Sequence, residues 1–259
     1  MKNILVTGAE GFIGSHLIKE LKKTHNVITT EKTDITNIKL LEKYFNDIDT
    51  VIHLAAISER GETEKNPDRT MEVNFMGTKN LLKLSHKKDV KRFIFISSSA
   101  IYLNSNVYGK SKTAAEKVCV DYANQVNLDT LILRPSNVYD LKKPKGVIGK
   151  FYSKAINNHP ITINGDGSQK FDFIHVSDLV TLICKAVNSD NRFLGKAFDV
   201  GSGQQHTVLQ IAKAISNKIE FDGYRFEHKP IVLDIEKTEN EFSWSAKKDL
   251  LELIKSHKL

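Results

Sequence analysis

The chain is short of the features that mark a secreted, membrane or nucleic-acid-binding protein. It carries two cysteines in 259 residues, Cys119 and Cys184. Both fall in segments that read as helices, and neither has a partner at metal-ligand or redox-motif spacing. A disulfide framework and a cysteine-based metal site are therefore excluded; no metal is expected, and the two thiols read as reduced and buried. No apolar run is long enough to cross a bilayer. A strand pattern starts almost at once, which leaves no room for a leader, so a cytoplasmic protein with no membrane contact is expected. There is no internal repeat, low-complexity tract or long linker. The formal net charge is +7, but the lysines are scattered (Lys22-Lys23, Lys87-Lys88, Lys142-Lys143, Lys247-Lys248). Without a dense basic tract interleaved with aromatics, nucleic acid is not an expected partner, and a solvated surface with some attraction for anionic substrates fits better.

The 40% hydrophobic content is enough for a sizeable core. The most informative stretch is the opening run KNILVTGAEGFIGSHLIKEL. The apolar strand Ile4, Leu5, Val6 breaks at Thr7-Gly8, and the apolar period then changes from two to helical. Gly8 permits a tight turn, Gly11 lets backbone N–H groups approach a pyrophosphate, and Gly14 lets the helix pack close to the strand. The helix N-terminus points its partial positive charge at the same phosphates. A glycine cluster alone is often only a turn. Between a strand and a long amphipathic segment it predicts dinucleotide binding, here a nicotinamide cofactor.

Strand-like runs at residues 4–6, 27–30, 51–54, 93–96 and 131–133 alternate with helical patterns at 12–22, 40–45, 73–85 and 114–126. That alternation predicts an α/β fold, a doubly wound parallel sheet with helices on both faces. Ligands on such sheets bind at the carboxyl ends of the strands, where Thr7, Glu31, Ala55, Ser97–Ser99 and Arg134 gather along one edge. The pattern changes after Arg134-Pro135: loop-forming stretches at 141–146 and 164–169 flank a helical segment at 147–157, and a strand at 198–200 precedes a helix from 207 to about 217. A cofactor domain of residues 1–138 and 172–200 is expected, with a small substrate-binding lobe of residues 139–171 and 201–259.

Tyr108 and Lys112 open a helix as Y-G-K-S-K, one turn apart and on one face. A free phenol titrates near ~10 and is a poor base at neutral pH. A neighbouring ammonium and a positive nicotinamide ring both favour phenolate, and about 4 kcal/mol of preferential stabilisation would bring the phenol to ~7. Y-x-x-x-K alone is as common on an exposed helix. Here a strand ending in three serines precedes it, and a hydroxyl there can bond a substrate oxygen while the tyrosine moves its proton.

In that order, these motifs resemble the extended short-chain dehydrogenases/reductases, in particular the NAD-dependent nucleotide-sugar epimerase/dehydratase group. The matching segments are TGAEGFIG, HLAA, NFMGT, SSSAIY, YGKSK, LRPSNVY, GVIGKF, NGDGSQKFDFIHVSDL and FDVGSG. They run from residue 1 to about 215, and the likeness becomes faint beyond Lys218. The resemblance implies a Rossmann sheet, with Ser99, the third serine, on the reacting sugar hydroxyl, Tyr108 as base, and Lys112 on the nicotinamide ribose. It implies a cofactor pocket from Gly8, Gly11, Phe12, Ile13, Gly14, Glu31, Asp34, Ile35, Leu54, Ala55, Ala56, Asn74, Ser97, Tyr108, Lys112, Arg134 and Pro135. Glu31 would meet the adenosine ribose, favouring NAD over NADP, although Lys32 beside it could meet a 2′-phosphate. Substrate contacts are implied for Ser99, Asn137, the backbone at Val147 and Ile148, and Phe171.

Related 4,6-dehydratases carry an acidic pair after the catalytic serine or threonine; here those positions are Ala100 and Ile101, so dehydration lacks its acid/base. The remaining chemistry is hydride removal and return, and the expected function is 4-epimerisation of a UDP-hexose-type substrate through a 4-keto sugar. An NAD(P)H-dependent keto-sugar reductase and a non-catalytic NAD(P)- or RNA-binding protein on the same fold are the alternatives. Three departures bear on the substrate. Only eight residues separate Ser99 from Tyr108. Phe171 stands where the family usually has an arginine, and the two are not interchangeable. The tail lacks the usual Arg-Pro-Gly segment, leaving Arg225, His228 or Lys229 as substitutes, with a plain surface role as the other reading. The resemblance also implies a homodimer packed on the helices at 73–85 and 114–126. Ala115, Val118, Cys119, Tyr122 and Val126 form an apolar stripe there, which could equally face the protein's own sheet.

Overall fold

The computed structural model describes residues 1–103, 106–223 and 231–257. Its chain forms two compact units: Met1–Arg134 with Val180–Phe198, and Pro135–Leu179 with Asp199–Leu259. Residues 135–138, 172–179 and 199–200, expected in the first domain, fall in the second unit.

Five strands build the first unit: β1 (Asn3–Thr7), β2 (Asn26–Thr29), β3 (Thr50–His53), β4 (Arg92–Ile96) and β5 (Asp129–Pro135). They pair in parallel, and the sheet runs β2-β1-β3-β4-β5 with the strand Lys196–Val200 at its far edge. The strands are short continuous apolar runs because both faces are covered: Ile4, Leu5, Val6, Phe93, Ile94 and Phe95 have no exposed surface. Helix α1 (Phe12–Leu21) follows β1. Helix α2 (Gly77–Lys87) is preceded by the helical turns Pro67–Met71 and Glu72–Met76, the second of them a π-turn. This helical stretch starts earlier than periodicity indicated because Pro67 takes its first position, where a missing N–H costs nothing. Helix α3 (Val107–Val126) opens with Tyr108 and Lys112 as the Y-G-K-S-K reading expected, ahead of the apolar period from 114, and the Asn106 side chain accepts from Gly109 N–H as its cap.

The apolar stripe on α3 serves this unit's own core. Ala115 and Cys119 are fully buried there, with Val118, Tyr122 and Val126 packed partly against the same cluster. Both cysteines are free thiols, but Cys184 is half-buried, not buried. At the amino ends of β4 and β5 a buried clasp ties the unit together. Arg92 Nε donates to Asp129 Oδ2 at 2.8 Å, and its Nη atoms reach the carbonyls of Ala186, Ser189 and Asn191. The other Asp129 oxygen accepts from Phe193 and Leu194 N–H. This leaves the carboxyl ends of the strands for ligands.

The second unit has its own core around Tyr139, Ile148, Phe151, Ile161, Phe173 and Ile211. Strand Lys170–His175 lies between Gln205–Thr207, antiparallel, and Asn137–Tyr139, parallel. The helix Val208–Ile215 is closed by a full capping box between Thr207 and Gln210. Among the described residues no helix is long and apolar enough to cross a membrane.

Candidate active site

The turn after β1 shows why two of its glycines are glycine. Gly8 has φ +71°, and a Cβ there would sit 2.6 Å from Ala55 N. A Cβ on Gly14 would strike the Gly8 carbonyl and the Ala9 backbone, so α1 could not lie this close to β1. Gly11 differs: its added Cβ would approach only the Gly8 oxygen, at 3.1 Å. Gly11 is the N-cap of α1, no side chain caps that end, and the first turn carries no acidic residue. The amide groups at Phe12 and Ile13, both half-buried, thus open a helix whose N-terminal charge no side chain of this helix offsets. A cradle with room at Gly11 and a bare helix end suits a pyrophosphate.

A hydrogen-bond chain fixes the floor of this edge. Ala55 N–H donates to Thr7 Oγ1 at 3.2 Å, and Thr7 Oγ1 lies 2.7 Å from His53 Nδ1. His53 Nε2 lies 2.9 Å from Thr78 Oγ1, which donates to the Asn74 carbonyl at 2.6 Å. Since the Thr78 hydroxyl is a donor, the imidazole proton sits on Nε2, and Nδ1 accepts from Thr7. Burial, with the Lys112 charge, holds His53 well below its ordinary value, so it is neutral. In the π-turn, the Asn74 side chain accepts from Ile57 N–H at 2.8 Å and donates to Ile57 O and Ser111 Oγ at 2.9 Å each. Extra residues inside helices of this kind recur at functional sites.

At the end of β2, Glu31 is exposed with φ +50°. The Asp34 carboxylate is engaged: it accepts from Thr36 N–H and Oγ1 and from Arg69 Nη2 at 2.7 Å, bonds that hold it below the usual carboxylate range. Ile35 turns its side chain into the core, where it abuts Gly77, so that side chain is not free to line a cofactor pocket. Leu54 and Ala56 are half-buried beside Ala55.

The reactive pair stands on α3. Lys112 donates to the Ile96 carbonyl at 2.8 Å and lies 4.6 Å from the Phe95 ring centre and 6.0 Å from that of Tyr108. Of the three serines, Ser98 is the one whose side chain favours ionisation of the Tyr108 hydroxyl. Ser98 caps the 3₁₀ turn Ser99–Tyr102 from an extended backbone, its hydroxyl accepting from Ala100 N–H, and Ser99 begins the turn itself. The residues after Ser99 are Ala100 and Ile101, so this turn carries no acidic pair of the dehydratase kind. Ser97 is buried, and its hydroxyl donates to Glu116.

Desolvation pushes Tyr108 up to about 12, opposed by the Ser98 bond, and brings Lys112 down to about 8. Burial thus favours the protonated phenol, and the shift toward neutrality expected beside a positive nicotinamide ring has to overcome it. The Arg134 side chain pairs with Glu116 and Tyr102, and Pro135 is buried. In the second unit Asn137 donates to the Asp172 carbonyl at 3.0 Å, and Val147 and Ile148 open the helix Gly146–Ile156 with Ile148 in the core. Phe171 is half-buried and packs edge-on to Phe173, ring centres 6.3 Å apart. Arg225, His228 and Lys229 lie outside the described residues. Sequence reasoning missed Ser98, Glu116 and the Thr7–His53–Thr78 chain. The position of Glu116 one turn after Lys112 was the visible signal for one of them.

A family profile described as the NAD-dependent epimerase/dehydratase family matches residues 4–201. The chain is 32% identical to a putative UDP-glucose 4-epimerase of Methanocaldococcus jannaschii, over 97% of this chain and 96% of that protein. Among solved structures it resembles the UDP-glucose 4-epimerase of Thermotoga maritima with UDP-glucose, at TM-score 0.87 and 26% identity over 98% of this chain and 96% of that one. It resembles equally the UDP-N-acetylglucosamine 4-epimerase of Methanobrevibacter ruminantium in complex with UDP-N-acetylmuramic acid, at TM-score 0.87, 26% identity and the same coverages. With its parallel sheet, glycine cradle and Tyr-Lys pair, the chain belongs to the NAD-dependent epimerase/dehydratase family, a nucleotide-sugar branch of the extended short-chain dehydrogenases/reductases whose cofactor is NAD.

Proposed function

We propose that this enzyme epimerises a UDP-hexose-type sugar nucleotide at C4 through a transient 4-keto sugar. The observation that carries the reading is the Tyr108–Lys112 pair on α3, the ammonium 6.0 Å from the phenol ring centre, with the serine turn after β4 preceding it. The amides at Gly11, Phe12 and Ile13 would hold the NAD pyrophosphate, Glu31 the adenosine ribose and Lys112 the nicotinamide ribose. When bound, NAD supplies the hydride acceptor and donor for C4. Tyr108 takes the proton of the 4-hydroxyl and returns it, while Ser99 bonds the same sugar oxygen and keeps it in line. Lys112 and the positive ring together favour the phenolate that burial disfavours. Asn137 and the helix start at Val147-Ile148 are proposed substrate contacts.

Proton NMR of UDP-glucose and UDP-N-acetylglucosamine incubated with enzyme and substoichiometric NAD tests the proposal. Appearance of the galacto epimer, lost with Tyr108→Phe, supports a self-recycling epimerase. Stoichiometric consumption of NADPH with a keto-sugar would point instead to a reductase. An unchanged sugar spectrum with both substrates would remove UDP-hexose 4-epimerisation.

A further inference from the structure

One ion pair joins the serine turn after β4, the helix that carries Tyr108 and Lys112, and the end of β5. Glu116 is buried on α3, one turn beyond Lys112 and two beyond Tyr108. Its Oε1 accepts from Ser97 Oγ at 2.5 Å and from Arg134 Nε at 3.0 Å; its Oε2 accepts from Arg134 Nη2 at 2.6 Å. Arg134 Nη1 donates to the Tyr102 hydroxyl at 3.0 Å, and the guanidinium lies 5.6 Å from the centre of that ring. Ser97 immediately precedes Ser98, and Tyr102 ends the 3₁₀ turn that Ser98 caps. Arg134 stands near the end of β5. Both oxygens of the carboxylate and three nitrogens of the guanidinium are thus spent on elements far apart in sequence.

We infer that Glu116 and Arg134 are positioning residues for the reaction: their pair, shared with Ser97 and Tyr102, holds the serine turn against the catalytic helix and balances the charge beside Lys112. The inference rests on the proposed role of Ser99, Tyr108 and Lys112. Burying two charges is costly, and apolar side chains can often replace such a pair without loss of stability. What apolar side chains cannot reproduce is a planar fork bonding two directions at once beside a buried ammonium. The groups acting on Lys112 are Glu116 and Cys119 of its own helix, while Lys112 in turn acts on His53 from β3. Burial keeps the Cys119 thiol protonated and His53 neutral, which leaves Glu116 as the charged partner.

The test follows the Lys112 side-chain resonance with pH in protein carrying ¹³C-labelled lysine, assigned by Lys112→Arg. It needs neither turnover nor NAD, so a failure of the epimerase reading would show separately, as absent activity in the unaltered enzyme. Glu116→Gln removes a negative neighbour and lowers the Lys112 midpoint by about half a pH unit; Arg134→Gln removes a positive one and raises it by a similar amount. The double variant returns it near the starting value. Arg134→Lys keeps the charge but not the fork: the midpoint stays, while kcat falls about tenfold with KM for NAD unchanged. If Arg134→Gln does not fold, Glu116→Gln and Arg134→Lys decide alone. A midpoint unmoved by Glu116→Gln, shifts of one sign in both single variants, or full kcat in Arg134→Lys would each overturn the inference.

Discussion

Asn74 holds Ile57 by both of its backbone groups, accepting from the N–H at 2.8 Å and donating to the carbonyl at 2.9 Å. The second donor of the same amide reaches Ser111 on the catalytic helix. One side chain therefore joins the loop after β3 to the helix bearing Tyr108 and Lys112. Asn74→Ala leaves two half-buried backbone groups of Ile57 without their partner, at about 1 kcal/mol each. We expect Tm to fall and NAD affinity to drop about tenfold or more; calorimetric titration with NAD checks it, and unaltered affinity would limit Asn74 to scaffolding.

The choice between neighbouring serines is testable in two variants. Ser99→Ala removes the hydroxyl proposed to bond the sugar oxygen, and kcat should fall by about a hundredfold. Ser98→Ala removes the cap of the turn that Ser99 begins and should cost less than about tenfold. The reverse order in steady-state kinetics would move the sugar contact to Ser98.

Two glycines of one loop should behave differently. Gly14→Ala drives a methyl into the Gly8 carbonyl and Ala9 backbone, separating α1 from β1; a loss of several kcal/mol is expected, of the order seen for overpacked sites. Gly11→Ala meets only one oxygen within reach, so it should keep its Tm yet bind NAD at least about tenfold more weakly. Denaturation curves and NAD titrations of the pair separate a packing requirement from a ligand requirement.

His53 makes stability depend on pH in a definite direction. Its native pKa lies well below the ordinary value because of burial and the Lys112 charge, so the unfolded chain binds the proton more readily. Its contribution is complete above the unfolded pKa of about 6.5 and is lost as pH falls toward the native value, with a limiting slope of about 1.4 kcal/mol per pH unit. His25, also lowered by burial, adds a term of the same sign. Chemical denaturation between pH 7 and 5 should show a steeper decline for the parent than for His53→Gln; equal slopes would mean that His53 takes up no proton on unfolding in that range.

Local spacing alone determined much of this protein. The alternation of short apolar runs with helical patterns led to β1 through β5, because strands buried on both faces must be continuously apolar and parallel neighbours need a helix between them. The changes of period around Gly8–Gly14 and the four-residue step from Tyr108 to Lys112 are equally local, since turn geometry and helical rise are properties of a few consecutive residues. Tertiary structure decided the rest. It made Ser98 the cap of the turn after β4 and turned Ile35 inward. It also brought Glu116 and Tyr102 to Arg134, and it set Tyr108 and Lys112 on shifts dominated by burial. Each of these depends on which distant element lies within about 3 Å of a polar atom and on how much water remains there. Sequence spacing carries neither quantity, so the elements were legible and the hydrogen-bond partners were not.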